Sequence, residues 1–473
     1  MGSAALFVVL SLLVLIYDGG YLFLTVPFAL WVVYFAFTSM DKVLLIVMGF
    51  TPLSFLLNLA DSYGFAIALP TEPFLFAMMF LFWVKVFVEG KFDSKVLKHP
   101  VTVAILAFMG WMFFCILPSS NPFVSTKFFV SHVWFITSYY FLGTQVFKVS
   151  FKNINYFLWP YCTSLSIVVI YALIRHSQED FAQLLATWVV RPFFLDHGVY
   201  GAALAFVVPF LIINLINSKT FHQKPLNNIL ISSILVILIL GIVFSYTRAA
   251  WVSLAAAFGM YVLLVLKVSF RGLLVIVALA ASTALYFGDE IYLKMQGNKT
   301  KSNDDFAEHV QSIGNVRNDD SNLERLNRWD CAWSMFKERP LFGWGPGMYQ
   351  FVYAPFQKPE NRTKISTNMH DVGGVHSEYL GPLSETGLIG LITFLVMVGA
   401  IVSTGMRVYY TAQTRLIQLV ALSCLLGMVT YLTHGFLNNY LDSDKTSSLF
   451  WGFAAILVVL DVYFNKRENR SNQ

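Results

Sequence analysis

Apolar runs of span length follow one another along most of this chain, and one long polar stretch interrupts them. Runs of roughly 17 to 25 apolar residues read as membrane-crossing helices. About fourteen occur, beginning near residues 3, 20, 42, 68, 101, 124, 155, 198, 226, 249, 271, 387, 416 and 447. The fold class this predicts is an all-α polytopic membrane protein with about 14 (12 to 14) transmembrane helices. Expected divisions are transmembrane helices 1–11 in 1–287, a large polar loop in 288–386, helices 12–14 in 387–465 and a tail in 466–473. The first run lacks a basic n-region, and Tyr17 to Gly20 offers no small-x-small cleavage site, so it reads as a span.

Composition agrees with that pattern: 57% of residues are hydrophobic and 12% charged, outside the soluble globular range. The net charge of +5 comes from basic residues scattered between apolar runs, so topology explains it better than nucleic acid does. With a cytoplasmic N-terminus, Lys42, Lys91, Lys95, Lys98, Lys148, Lys152, Lys219, Lys224, Lys267, Arg271, Arg407, Arg415 and the tail residues Lys466, Arg467 and Arg470 fall inside. Eleven spans precede the insertion on this count, which places it outside. Of the four cysteines, Cys115, Cys162 and Cys424 lie in apolar runs and Cys331 alone in the insertion, so no disulfide framework or metal cluster is implied.

Within the insertion, Asn298 to Asn322 is rich in Lys, Asn, Asp and Ser and is expected to lack fixed structure. Ser321 with Glu324 then forms a capping box ahead of Leu323, Leu326, Trp329, Ala332, Trp333 and Phe336, the pattern of an amphipathic helix that stops before Pro340. The next stretch, RPLFGWGPGMYQF at 339 to 351, has the glycine and aromatic content of a rigid turn. Its aromatic rings would either stack on sugars or anchor the insertion among lipid headgroups. His376, Tyr379, Leu380, Leu383, Gly387 and Gly390 then recur at helical spacing into the next span, which predicts a helix carrying His376 at the membrane surface. A histidine there can orient or deprotonate a hydroxyl near neutral pH, although an ordinary interfacial histidine fits the pattern too.

Two arginines, Arg191 in VVRPFFLDHGVYG and Arg248 in SYTRAAWVSL, fall at the expected outer ends of spans, against the positive-inside trend. An arginine at that depth is costly unless paired or functional, and its planar fork suits two phosphate oxygens. Snorkelling, or pairing of Arg191 with Asp196, is the plainer alternative.

Three of these segments together resemble the O-antigen ligase superfamily, which includes O-antigen ligases, Wzy-type polymerases and pilin oligosaccharyltransferases. They are SYTRAAW, the RPLFGWGPGMYQF turn and HSEYLGPLSETGLIG at 376 to 390. The resemblance covers roughly 190 to 400, and fourteen spans exceed the usual family count of about twelve, which leaves the N-terminal spans unassigned. It implies a C-type, metal-independent, inverting glycosyltransferase of the bacterial inner membrane, with its large loop and active face periplasmic and no cofactor. Its partners would be an undecaprenyl-diphosphate-linked glycan, a lipid A core or other glycan acceptor, and membrane lipids, with no nucleic acid.

In site residues, the resemblance implies that Arg248 and Arg191 hold the donor diphosphate, with Arg339 or Arg328 as substitutes for the latter. Arg248 and His376 would be catalytic, and Trp344, Tyr349 and Tyr379 are candidate glycan or acceptor contacts. The function implied is O-antigen ligase-like transfer to an acceptor hydroxyl, with a Wzy-type polymerase as the alternative. A lipid-linked saccharide flippase or exporter is the alternative of another class. It is disfavoured because Lys85 and Glu72 are almost the only charges within the runs. Metal chemistry is disfavoured because the first outer loop holds only Asp18, Gly19 and Gly20. The one D-x-D, Asp442 and Asp444, reads as a solvated outer segment, and His370, Asp371 and His376 match no common zinc spacing.

Overall fold

The computed structural model describes residues 39–58, 66–90, 92–287, 320–359, 362, 366 and 373–465. The two runs expected near residues 3 and 20, most of the polar stretch 298–322, His370, Asp371 and the tail 466–473 lie outside the described residues.

Helix α1 (Met40–Phe50) leads through a 3₁₀ turn (Thr51–Leu53) into a short antiparallel ribbon of β1 (Phe55–Asn58) and β2 (Ala66–Leu69), which pairs Phe55 with Leu69. There follow α2 (Thr71–Glu89), α3 (Pro100–Phe114) and α4 (Pro122–Phe135). The last continues through a π-helical stretch (Ile136–Leu142) into Gly143–Val149. Next come α5 (Lys152–Ser177), α6 (His197–Ile216), α7 (Pro225–Phe244), α8 (Arg248–Val265) and α9 (Phe270–Tyr286). Helix α10 (Asp320–Glu338) belongs to the insertion, and α11 (Leu380–Thr411), α12 (Arg415–His434) and α13 (Asp444–Val459) close the chain.

Helix starts follow local chemistry. Pro100, Pro122 and Pro225 occupy the first helical position, where a missing N–H costs nothing. Asn121, Asp196, Thr414 and Ser443 each accept a free backbone N–H of the first turn.

Eight helices among the described residues are long and apolar enough to cross a membrane: α2, α5, α6, α7, α8, α11, α12 and α13 with its π-helical extension. Two shorter apolar helices, Pro100–Phe114 and Phe270–Thr283, accompany them. The run expected near residue 42 yields only α1, whose eleven residues rise about 16 Å against a hydrocarbon core of about 30 Å. Pro52 and the ribbon end it there. The run near 124 becomes α4, broken by its π-helical stretch.

Helices α6 and α13 are enclosed by their neighbours, whereas α7 turns Leu226, Ile229, Leu230 and Val236 outward. Because lipid tails are as apolar as leucine, close packing rather than burial holds such helices together. Small residues mark the tightest contacts: a Cβ at Gly427 would lie 2.6 Å from the Phe453 ring, and one at Gly452 would lie 2.4 Å from Phe157. Trp451, Phe206 and Tyr431 fill the centre.

Candidate functional site

The RPLFGWGPG segment forms the rigid turn its composition predicts, wrapped around the start of α11. Gly343, Gly345 and Gly347 all have positive φ, of 65°, 111° and 71°. The Trp344 N–H donates to the Ser384 carbonyl (3.1 Å) and the Gly345 N–H to the Glu385 carbonyl (2.8 Å). Glu385 answers with its carboxylate, which accepts the N–H of Gly347 (2.9 Å) and of Tyr349 (3.0 Å). Helix α11 breaks at Gly387 (φ 73°), where Leu388 N–H donates to the Pro340 carbonyl (2.9 Å). The Thr386 carbonyl is taken by Trp111 Nε1 (2.8 Å) from α3. The turn is thus wedged into an interrupted helix with its polar groups satisfied.

Behind this wedge lies a cavity of about 950 Å³. Its walls come from the ribbon, the starts of α2, α11 and α13, segments 191–199 and 346–350, and the stretches 373–378 and 439–443. Phe108, Met112, Phe128 and Phe394 make one side apolar. The remainder is charged, with Arg191, Arg328 and Lys445 facing Glu72, Asp196, Glu378, Glu385, Asp442 and Asp444. With carboxylates in excess, an anion entering here depends on any cation that the protein has not already paired.

Two of the three cations are committed. Arg328 is buried, donates from Nε to Glu324 Oε1 (2.8 Å) and from Nη1 to the Gly374 carbonyl (3.2 Å), and lies over the Tyr353 ring. A Cβ at Gly373 would fall on its guanidinium, so only glycine admits this approach. Lys445 Nζ donates to the carbonyls of Thr51 (2.5 Å) and Ser54 (2.8 Å) and to the Ser54 hydroxyl, 3.7 Å from Asp444. Asp444 in turn accepts the hydroxyls of Ser54 (2.6 Å) and Thr71 (2.7 Å). The expected solvated D-x-D is therefore split: Asp444 is buried and bonded, and only Asp442 is wetted from the cavity.

Arg191 is exposed on the cavity wall, and its guanidinium makes one long bond, Nε to the Leu195 carbonyl at 3.4 Å. The alternative pairing with Asp196 is not formed: Asp196 Oδ1 caps α6 by accepting the N–H of Gly198 (2.6 Å) and Val199 (3.0 Å). Among the described residues, Arg191 is the cation of this wall without an ion pair.

His376 lines the cavity but is not on a helix, contrary to the spacing argument. Helix α11 begins at Leu380, and His376 sits in the preceding turn with φ 55°. The turn arises because 373–378 runs against 435–441 as a bonded pair of segments. His376 N–H donates to Asn439 Oδ1 (3.1 Å), Glu378 N–H donates to the Gly435 carbonyl (2.8 Å), and Trp329 Nε1 donates to the His376 carbonyl (3.2 Å). Burial, aided by the positive charges of Arg325 and Arg328, pushes the His376 imidazole down to about 3, against a smaller opposing bond from Asn438. At neutral pH it is an uncharged ring.

The other expected residues are distributed differently. Arg248 opens α8 and does not line the cavity, although Thr247 before it donates to the His197 carbonyl (2.8 Å), next to Asp196 in the wall. Trp344 and Tyr379 also lie outside the lining, because their polar atoms and faces are committed to packing. Trp344 Nε1 donates to the Met335 carbonyl (3.0 Å) with Arg339 4.0 Å above its ring, and Arg339 donates to the Ser120 hydroxyl (3.3 Å). Tyr379 donates to the Leu432 carbonyl (2.9 Å) and stacks on Phe436 at 4.3 Å. Tyr349 touches the cavity, but its hydroxyl donates inward to the Arg328 carbonyl (2.7 Å). Sequence reasoning passed over Arg325, whose charge reaches both His376 and His434 and whose Nε donates to the Leu437 carbonyl (3.2 Å). It also passed over Glu378. Among the described residues no three His, Cys, Asp or Glu side chains group as a metal site.

The chain is thus a multi-pass, mostly helical membrane protein with a charged chamber built where its spans meet the insertion. Residues 233–395 match the family model described as O-Antigen ligase, and this match over about a third of the chain supports its resemblance to the O-antigen ligase superfamily. The match takes in Arg248, Arg325, Arg328 and His376, and leaves out Arg191 and the 439–445 wall. No curated protein matches the chain. Members of the family are glycosyltransferase-like membrane proteins of ligase and polymerase type, whose partners are a lipid-linked glycan and a glycan acceptor.

Proposed function

We propose that this protein transfers a glycan from undecaprenyl diphosphate to an acceptor hydroxyl, as an O-antigen ligase, at the periplasmic face of a bacterial inner membrane. The observation that carries the reading is the meeting, in one cavity and beside an apolar wall, of a neutral His376 and Arg191, an arginine with no ion pair among the described residues. Arg191 binds the donor diphosphate at the cavity wall, and Arg248 and Arg325 add positive charge from just outside it. Cations held in place before the reaction stabilise the charge that develops on the leaving diphosphate. Phe108, Met112, Phe128 and Phe394 receive the first part of the polyprenyl tail.

His376 orients the acceptor hydroxyl. With its imidazole pushed down to about 3, it is too weak a base to take that proton efficiently at neutral pH, but an uncharged ring nitrogen accepts a hydrogen bond well. The reaction needs no divalent cation in this reading. The insertion faces the periplasm, with 1–287 and 387–465 as the membrane parts.

The test is donor consumption by the purified protein in nanodiscs, in the presence of chelator, with and without lipid A core. Mass analysis of the products separates the cases. Transfer only with acceptor supports a ligase, a lengthening ladder without it supports a polymerase, and an unconsumed donor in both supports a transporter.

A further inference from the structure

The roles assigned above leave the acceptor's proton without a receiver, and of the carboxylates lining the cavity the one two positions beyond His376 has the right placement. Glu378 lines the same cavity. Its Oε1 accepts the Tyr431 hydroxyl (2.5 Å) and the backbone N–H of Tyr440 (2.6 Å) and Leu441 (2.9 Å). Those three donors fix the carboxylate from one side. None of them reaches Oε2, which has no hydrogen-bond donor among the described residues although it is not a sealed, unsatisfied atom.

The backbone around it is equally fixed, since Glu378 N–H bonds Gly435 and His376 N–H bonds Asn439 on the same facing segment. A Cβ at Gly435 would press on the Glu378 side chain at 3.1 Å, so the two segments are in close contact. Glu378 and His376 are therefore held as a unit on one wall.

We propose that Glu378 is the catalytic proton acceptor for the attacking hydroxyl, with His376 orienting that hydroxyl beside it; this deepens the transferase reading above and rests on it. The acceptor O–H bond breaks and its proton passes to Glu378 Oε2. The oxygen forms its bond to the anomeric carbon, and the bond from that carbon to the diphosphate oxygen breaks. Diphosphate leaves with the electron pair, and the proton leaves Glu378 for water when the product departs.

The groups that face Glu378 support the assignment. Burial raises its carboxyl to about 7, and Asp442 adds to the rise, while Tyr431, Leu441 and Tyr440 oppose it as donors. Tyr379 and Glu385 also feel its charge, and His376 on the same cavity wall stays neutral. A base is most effective when it titrates near the working pH, and this one does.

The experiment is single-turnover transfer in nanodiscs by wild type, Glu378→Gln and Glu378→Asp, over about pH 5 to 9, with donor binding measured separately. Wild type should gain rate as pH rises through about 7, the point at which Glu378 ionises. Glu378→Gln should lose roughly 100-fold or more in rate and lose that limb, with donor affinity unchanged. Glu378→Asp should keep a measurable rate with the limb displaced, and it decides the matter alone should the Gln variant not fold. Rate and donor binding falling together in Glu378→Gln, or an undisplaced limb in either variant, overturns the assignment and leaves the transferase reading in place. A wild type that consumes no donor overturns both.

Discussion

The wedge of the 339–347 turn into the broken start of α11 can be tested at one atom, the missing Cβ of Gly343. In Gly343→Ala that carbon would lie 2.3 Å from the Glu385 carbonyl carbon and 2.6 Å from the Thr386 nitrogen, backbone atoms that cannot turn aside. The φ of +65° adds roughly 1 to 2 kcal/mol for any residue with a side chain. Relief of the clash means withdrawing the turn, which breaks the bonds from Trp344 N–H, Gly345 N–H and Gly347 N–H, each contributing about 0.5 to 1.5 kcal/mol. Together the substitution should cost roughly 2.5 to 6.5 kcal/mol, a large share of the about 5 to 15 kcal/mol typical of a folded protein. Gly110→Ala is the control, since a Cβ there meets nothing within 4 Å. Unfolding of the purified proteins in mixed micelles, followed by tryptophan fluorescence, should show a lowered midpoint for Gly343→Ala alone. Coincident midpoints for Gly343→Ala and wild type would refute the wedge.

Arg191→Gln should weaken undecaprenyl-diphosphate binding by about 10- to 100-fold, the equivalent of one charge-assisted contact. Titration calorimetry reads this, and an unaltered affinity removes Arg191 from the donor site. Lys445→Met strands the buried Asp444 carboxylate and should lower stability by about 3 to 5 kcal/mol in a denaturation series. The double variant Asp444→Asn, Lys445→Met should recover part of that loss. Because His376 titrates near 3 when folded and near 6.5 when unfolded, only the unfolded chain takes up the proton between those values. Its contribution to stability is thus present above about pH 6.5 and is lost as pH falls towards 3, a slope that His376→Gln should reduce in acid denaturation.

Patterns that depend on one local period were readable from the residues. The long apolar runs became helices, Pro340 ended α10 as expected, and the glycines of RPLFGWGPG made the turn that their composition demands. What the residues concealed depends on contacts between distant segments. His376 has the spacing of a helical residue, yet its bonds to the 438–439 asparagines, more than sixty positions away, hold it in a left-handed turn. Asp444 looks like a surface acid until Ser54 and Thr71 are placed against it. Arg325 sits among Glu324, Asn327 and Arg328 on the polar side of an amphipathic helix, where a charged residue ordinarily means only a wet face. The one signal was that this side is unusually rich in large hydrogen-bonding groups next to two tryptophans, Trp329 and Trp333.

The pairing of α13 with the turn between α1 and the ribbon also dictates when the chamber is complete. Lys445 grips the carbonyls of Thr51 and Ser54, and the His376 turn is shaped by residues 435–441. During synthesis, α1 to α12 and the insertion are made before either tie can form. The chamber closes only when α13 enters the membrane and meets the turn that follows α1. A chain halted before residue 435 would hold every arginine proposed for the donor and still lack the 435–441 segment that seats His376.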